Sequence, residues 1–276
     1  CSKSTRYNAA IGYTNEKRLA YRSSQRFLRN EGFEIIEVFD DQFYDAILTV
    51  LKKMTELRIV GGSYRLLIDI SVLNRRRIAL LTEALLKSVV TLEVHFRYSI
   101  AKYNEPPEEF VPTAKISLIT SYYSGWTNTR GQSVFAMMGL GYEKELALDC
   151  LDYIKASKYV VFMPEGPVAE YNDAVIRQND TLLDDTHESN ILSYDVMRPM
   201  KLIEDMTSLC KTLVHDNSIA IVPFGPKVFT LASLLVVRDT KIASVLRMST
   251  ADETATIARI AAGPISGLNV LYGPIV

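Results

Sequence analysis

The sequence predicts an α/β protein made of two tandem Rossmann-like units with mostly parallel sheets, and three observations predict it. Short apolar runs alternate with amphipathic stretches whose apolar residues recur at three and four, the pattern of strands joined by helices. The alternation breaks at "KYNEPPEEFVPT", where tandem prolines sit among acidic residues, and then restarts. The segments on either side of the break also repeat one another in order. The boundary is placed there, giving units 1–112 and 113–276.

In the first unit "YNAAIGY" reads as a buried strand ending at Gly12, and "NEKRLAYRSSQRFLRNEG" as a helix closed by Gly32. "FEIIEVF" is a strand, "QFYDAILTVLKKMTEL" a helix, "RLLIDIS" a strand and "RRRIALLTEALLKSV" a helix. "TLEVHFRYSI" alternates strictly at Leu92, Val94 and Phe96, with His95 on the opposite face. In the second unit "KISLIT" opens as a strand before a polar loop around Trp126, and "SVFAMMGLGYE" is a strand ending at Gly141. "KELALDCLDYIKAS" is a helix, "KYVVFMPEG" a strand, "VAEYNDAVIRQNDTLL" a helix and "DDTHESNILSYD" a polar loop. The helix "MRPMKLIEDMTSLCKTLVHDN" leads to the strand "SIAIVPF" and the helix "VFTLASLLVV". "KIASVLRMST" is a strand, "ADETATIARIAAG" a short helix and "GLNVLYGPIV" a closing strand.

The repeat rests on two pairs. "AAIGYTNEKRLAYRSSQRFL" matches "MMGLGYEKELALDCLDYI": an apolar strand, Gly-Tyr, then a helix with Glu and Lys in its first turn. "LLIDISVLNRRRIALLTEALL" matches "IAIVPFGPKVFTLASLLVV": a buried strand, a break holding basic residues, then an apolar helix. Both pairs occur in the same order, which points to a pseudo-two-fold duplication of one α/β unit.

Composition bounds the function classes. The chain has 276 residues, 48% of them hydrophobic and 23% charged, so it can bury a core and is not of the disordered class. The net charge of −1 gives no global field toward nucleic acid or anionic membrane. "CSKSTRYNAA" carries no apolar signal core, and no run of about 18 apolar residues occurs, so a soluble cytoplasmic protein is expected. Three widely spaced cysteines, Cys1, Cys150 and Cys210, make no C-x-x-C pair; Cys150 and Cys210 fall in apolar helical patterns and read as buried thiols. His95, His187 and His215 lack metal-ligand spacing, so neither a metal nor a cofactor is expected.

Ligands of parallel sheets bind beyond the carboxyl ends of the strands, where βα turns present backbone N–H groups and the positive ends of helix dipoles. This selects four turns as anion seats. They are Gly12-Tyr13-Thr14, the stretch Ser71 to Arg76 with Asn74, Arg75 and Arg76, Gly141-Tyr142-Glu143, and Gly225-Pro226-Lys227. Gly225 permits close backbone approach. Pro226 suits the first helical position, where a missing N–H costs little, and Lys227 adds charge. The plain alternative is a helix start with a solvated lysine, since the G-x-x-x-x-G-K spacing is absent. Asn74 suits a helix cap. Arginines at a helix start oppose the dipole, which makes sense beside an anion; the alternative is pairing with carboxylates such as Asp69. Tyr13 and Tyr142 could stack on a base or merely cover a sheet edge. Gly139-x-Gly141 is followed by Lys144 where a G-x-G-x-x-G fingerprint needs glycine, and no G-x-S-x-G elbow occurs. Glu165, in "MPEGP", is the candidate catalytic acid or base, or simply a turn residue.

"IAIVPFGPKVFTLASLLVV" resembles the strand, G-G-T-K-type turn and apolar helix of the CARF domains, the CRISPR-associated Rossmann-fold sensors. "GLGYEKELALDCLDYIKASKYVVFMPEG" is similar to the first unit of those domains, and the duplicated plan is similar to the fused SAVED domains of anti-phage signalling. In the CARF turn a small polar residue stands where this chain has Pro226, and the first-half turn, Leu73-Asn74-Arg75-Arg76, has no glycine. The resemblance implies contacts to a cyclic oligonucleotide at Gly141, Tyr142, Gly225 and Lys227, and by duplication at Gly12, Tyr13, Asn74 and Arg75. Three readings follow. One is a nucleotide sensor or regulatory module, binding a phosphate-bearing ligand and working with a protein partner or a second copy. The second is an enzyme hydrolysing a nucleotide or NAD, of ring-nuclease or N-glycosidase type. The third is a ligand-free scaffold subunit.

Overall fold

The computed structural model describes residues 7–14, 20–57, 64–105, 114–125, 132–142, 146–250 and 259–273. The strands are β1 (Ala9–Tyr13), β2 (Glu34–Val38), β3 (Tyr64–Asp69), β4 (Leu92–Ala101), β5 (Ala114–Leu118), β6 (Ser133–Gly139), β7 (Ala156–Glu165), β8 (Ile191–Asp195), β9 (Asn217–Pro223), β10 (Ala243–Thr250) and β11 (Ala261–Tyr272). The helices are α1 (Tyr21–Asn30), α2 (Phe43–Glu56), α3 (Arg75–Leu86), α4 (Leu146–Ile154), α5 (Ala169–Gln178), α6 (Asp180–Asp185), α7 (Pro199–Leu213) and α8 (Lys227–Thr240).

The architecture is α/β, as the alternation predicts. A six-stranded sheet has the order β5-β10-β9-β6-β7-β8, a three-stranded sheet the order β11-β4-β3, and β1 pairs with β2. Among the described residues every pairing is parallel except two. Each of those two is at one edge of its sheet: β5 runs antiparallel to β10, and β11 antiparallel to β4. β5 pairs in the six-stranded sheet with β10, whereas β11, the last described strand, returns to pair with β4 in the three-stranded sheet.

Helix α8 sits between the sheets. Residues Val228 to Val237 are all buried, with Thr230 and Ser233 among otherwise apolar side chains, as a helix enclosed in the core requires. It packs against α3 and α7. The largest apolar core runs through both halves, joining Ile70, Leu92, Val94 and Phe96 to Phe162, Ile219, Ile221 and Phe229. A second core lies on the far face of the six-stranded sheet, under α4, α5 and α6, and includes Met138, Val161 and Val222. Cys150 and Cys210 are buried, one in each of α4 and α7.

Three expectations are corrected. The polar stretch 184–195 is not all loop: Ile191–Asp195 forms edge strand β8, in parallel register with β7. An edge strand needs only alternate apolar residues, and Leu192 and Tyr194 supply them. The helix read over 168–183 is two helices broken at Asn179, whose buried side chain donates to the Gly141 and Val175 carbonyls, each at 2.8 Å. The short helix read over 251–263 lies outside the described residues up to 258, and from Ala261 the chain is already β11, Ala261 standing opposite Ala101. The boundary placed at 112/113 also lies outside the described residues, as does Trp126.

Candidate functional site

The three arginines that open α3 go three different ways. Before them, Asn74 is extended (φ −72°, ψ 164°), and its Oδ1 accepts the Arg77 N–H at 2.8 Å. This is the cap expected from sequence, a feature worth about 1 kcal/mol. The Asn74 amide also donates to Asp40 Oδ2 at 3.3 Å.

Arg77 is fully buried. Its Nε donates to Asp40 Oδ1 at 2.7 Å, Nη1 to the Gly12 carbonyl at 3.2 Å and Nη2 to the Val38 carbonyl at 3.1 Å. The guanidinium lies 3.6 Å from the Tyr13 ring centre and 4.5 Å from that of Phe43. A planar fork with five donors suits this set of acceptors, where a lysine would not. Asp40 and the two carbonyls offset the unfavourable helix dipole. Gly12 and Tyr13 are thus tied to α3 by Arg77, and Thr14 donates its N–H to the Val38 carbonyl at 3.2 Å. Arg76 faces β10: burial and the Arg76 charge hold Arg247 below the usual guanidinium range, with Asp40 opposing.

Arg75 reaches the other half of the chain. Its Nη2 donates to the Gly225 carbonyl at 3.2 Å. Lys227 Nζ reciprocates by donating to the Ser71 carbonyl. The β3–α3 and β9–α8 turns therefore meet, each giving a cation to a backbone carbonyl of the other. Gly225 has φ +65°, and a Cβ on it would fall 2.1 Å from the Leu140 carbonyl oxygen, so only glycine lets this turn lie on the end of β6. Pro226 (φ −59°) is the cap residue and Lys227 the first of the helix, one position later than the sequence expectation.

Tyr142 completes the surroundings. Its ring stacks on Tyr171 (5.6 Å between centres, 28° between planes), and Tyr103 meets Tyr171 edge-on at 5.2 Å. Arg259 donates from Nη2 to the Tyr142 hydroxyl and from Nη1 to the Tyr171 hydroxyl, the latter at 3.2 Å. Burial first, then the Arg75 charge, pulls the Lys227 ammonium down to about 8; Arg259 adds to this and Asp69 opposes it. Burial pushes the Tyr98 hydroxyl up to about 12, with Tyr171 and Tyr142 beside it.

Three cations, Arg75, Lys227 and Arg259, thus share one electrostatic neighbourhood with Tyr98, Tyr142 and Tyr171, at the carboxyl ends of β3, β4, β6 and β9. Such a lining can hold an anion beside a planar ring. Of the sequence-derived contacts, Arg75, Gly225, Lys227, Gly141 and Tyr142 lie here. Gly12, Tyr13, Thr14 and Asn74 gather around Arg77 and Asp40, and Arg76 faces Arg247. Glu143 lies outside the described residues. Glu165 is exposed at the end of β7, in register with Asp195, whose carboxylate accepts the Met197 N–H at 2.7 Å and pairs with Arg198. Sequence reasoning missed Tyr98, Tyr171 and Arg259 as contacts. Tyr98 had a local signal, because it carries the inward alternation of Leu92, Val94 and Phe96 to the carboxyl end of its strand.

Among the described residues no helix is long and apolar enough to cross a membrane. No protein-family model matches the chain, and no match to a curated protein is found.

Proposed function

We propose that the chain binds a phosphate-bearing nucleotide, a cyclic oligonucleotide first among the candidates, where the β3–α3 and β9–α8 turns meet, and that it works as a sensor or regulatory module. The observation that carries this reading is the reciprocal crossing of Arg75 to Gly225 and Lys227 to Ser71, with Arg259 close by. Cations brought together and partly desolvated repel one another, and the lowered Lys227 ammonium registers that cost. A phosphate would relieve it, and perturbed groups of this kind concentrate at functional sites. The stacked tyrosines add a surface that a base would use.

The strand orders support reading the chain as two Rossmann-like units related by a pseudo-two-fold. β11-β4-β3 runs in step with β5-β10-β9, each ending in an antiparallel edge strand, β5 from its own unit and β11 from across the boundary. On this plan one composite site lies between units 1–112 and 113–276, as the resemblance to CARF and SAVED domains implies. A role in prokaryotic anti-phage defence rests on that resemblance alone. Binding is preferred to hydrolysis because Glu165 is exposed and Asp195, beside it, is already engaged.

A panel of cyclic di-, tri- and tetranucleotides tests the reading by thermal shift. At least one should raise Tm, as a ligand specific for the folded state must, and Lys227→Met should abolish the rise. No shift from any of them overturns the reading. Nucleotide turnover that is lost in Glu165→Gln would replace it with hydrolysis.

A further inference from the structure

Tyr194 is a residue with an unexplained group. It lies at the carboxyl end of β8, in register with Pro164 of β7, and only 6% of it is exposed. Its ring packs on Phe229 (5.5 Å between centres), two residues beyond Lys227. That packing needs only an aromatic ring. The hydroxyl is buried and has no hydrogen-bond partner among the described residues. A phenylalanine would fill the same space without the cost of stranding a polar group, so nothing among the described residues gives the oxygen a structural role. Its electrostatic neighbours are Tyr98, from β4, and Arg75, from α3. The hydroxyl therefore lies beside the cluster that joins the two halves, next to Tyr98 and Arg75.

Resting on the reading above, we infer that Tyr194 is a ligand-contacting residue whose hydroxyl donates a hydrogen bond to a phosphate oxygen of the bound nucleotide, beside the Arg75 guanidinium. Burial keeps this phenol neutral at any physiological pH, so it offers a proton where a carboxylate would repel the anion. Donors from β8 and α3 then converge on one phosphate, which draws both halves of the chain into one seat. Stability is given up in the free protein and returned on binding, the pattern expected of groups that serve function rather than folding.

Calorimetric titration of wild type, Tyr194→Phe and Lys227→Met with the cyclic nucleotide that most raises Tm tests this. Tyr194→Phe should weaken binding roughly tenfold or more, as loss of a hydrogen bond to a charged group does, while the Tm of the free variant stays at or above that of wild type. If Tyr194→Phe binds as tightly as wild type while Lys227→Met does not, the inference fails and the nucleotide reading stands. If wild type binds none of the panel, both fail. A 3-fluorotyrosine placed at position 194 reports the same contact without removing the hydroxyl. Its 19F line must move when the nucleotide is added, and a line that stays fixed overturns the inference.

Discussion

Arg75 and Gly225 stand 150 positions apart in the chain, and the arginine Nη2 donates to the glycine carbonyl at 3.2 Å. Gly225 can offer that carbonyl only because it takes φ +65° against the end of β6. Gly225→Ala would place a methyl 2.1 Å from the Leu140 carbonyl oxygen, a backbone atom that cannot swing aside. The variant should lose about 2–4 kcal/mol in urea unfolding, from left-handed strain plus the clash. Gly32→Ala is the control. It shares the positive φ (+80°) but meets nothing within 4 Å, so strain alone should cost it about 1 kcal/mol.

Lys227 makes the site sensitive to pH. Its folded value, about 8, lies below the ordinary 10.5. Between these values the unfolded chain binds more protons than the folded one, so unfolding free energy rises with pH across that window. Below about 8 the full cost of the charged ammonium is present. An anion reverses the preference, because it favours the protonated lysine. Nucleotide affinity should be constant below pH 7.5 and fall by up to about tenfold per unit above 8. Titrations from pH 7 to 9.5 would show this, and Lys227→Met should flatten both the affinity profile and the stability profile.

Arg77 holds β1 and β2 to α3, and replacing it should loosen that corner first. Arg77→Met takes a donor from each of the Gly12 and Val38 carbonyls and leaves Asp40 without its cation, and should cost about 3 kcal/mol or more. Arg77→Lys should recover little, since an ammonium cannot span three acceptors and lie flat between Tyr13 and Phe43. Asp40→Asn should cost less, because Asp40 is 42% exposed and water can take the place of the lost charge. Hydrogen exchange would show fast exchange at 9–13 and 34–38 in Arg77→Met before the sheets around α8 open.

What was legible in the sequence was local. Leu92, Val94 and Phe96 announce β4 by period, Asn74 announces the start of α3 by its side chain, and Gly225 announces a turn that no other residue fits. The seat itself was half legible. Rules for parallel sheets select the strand ends, and so select Arg75, Lys227 and Tyr142 one by one. That Arg75 meets Gly225, or that Arg259 meets Tyr142, is decided by which strand pairs with which, and no short-range period encodes it. β11 shows why. The pattern of "GLNVLYGPIV" gives a strand, but its partner, β4, lies far back in the chain, and this pairing brings Arg259 to the site. β8 was hidden for a different reason: a short edge strand behind a polar run leaves only Leu192 and Tyr194 as its signature.

Tyr142 and Arg259 separate two kinds of contact. Tyr142 stacks on Tyr171 and accepts from Arg259, so its ring and its hydroxyl can be removed separately. Tyr142→Ala removes both and should weaken nucleotide binding by roughly 5- to 100-fold, the range for one base lost from an aromatic platform. Tyr142→Phe keeps the ring and should lose far less. Arg259→Ala leaves the rings but removes a cation. It should therefore reduce the slope of log affinity against log salt by about one, while Tyr142→Ala leaves that slope unchanged. Titrations between 50 and 300 mM salt distinguish the two. Equal slopes for wild type and Arg259→Ala would mean that this arginine orders the tyrosines and does not meet the phosphate.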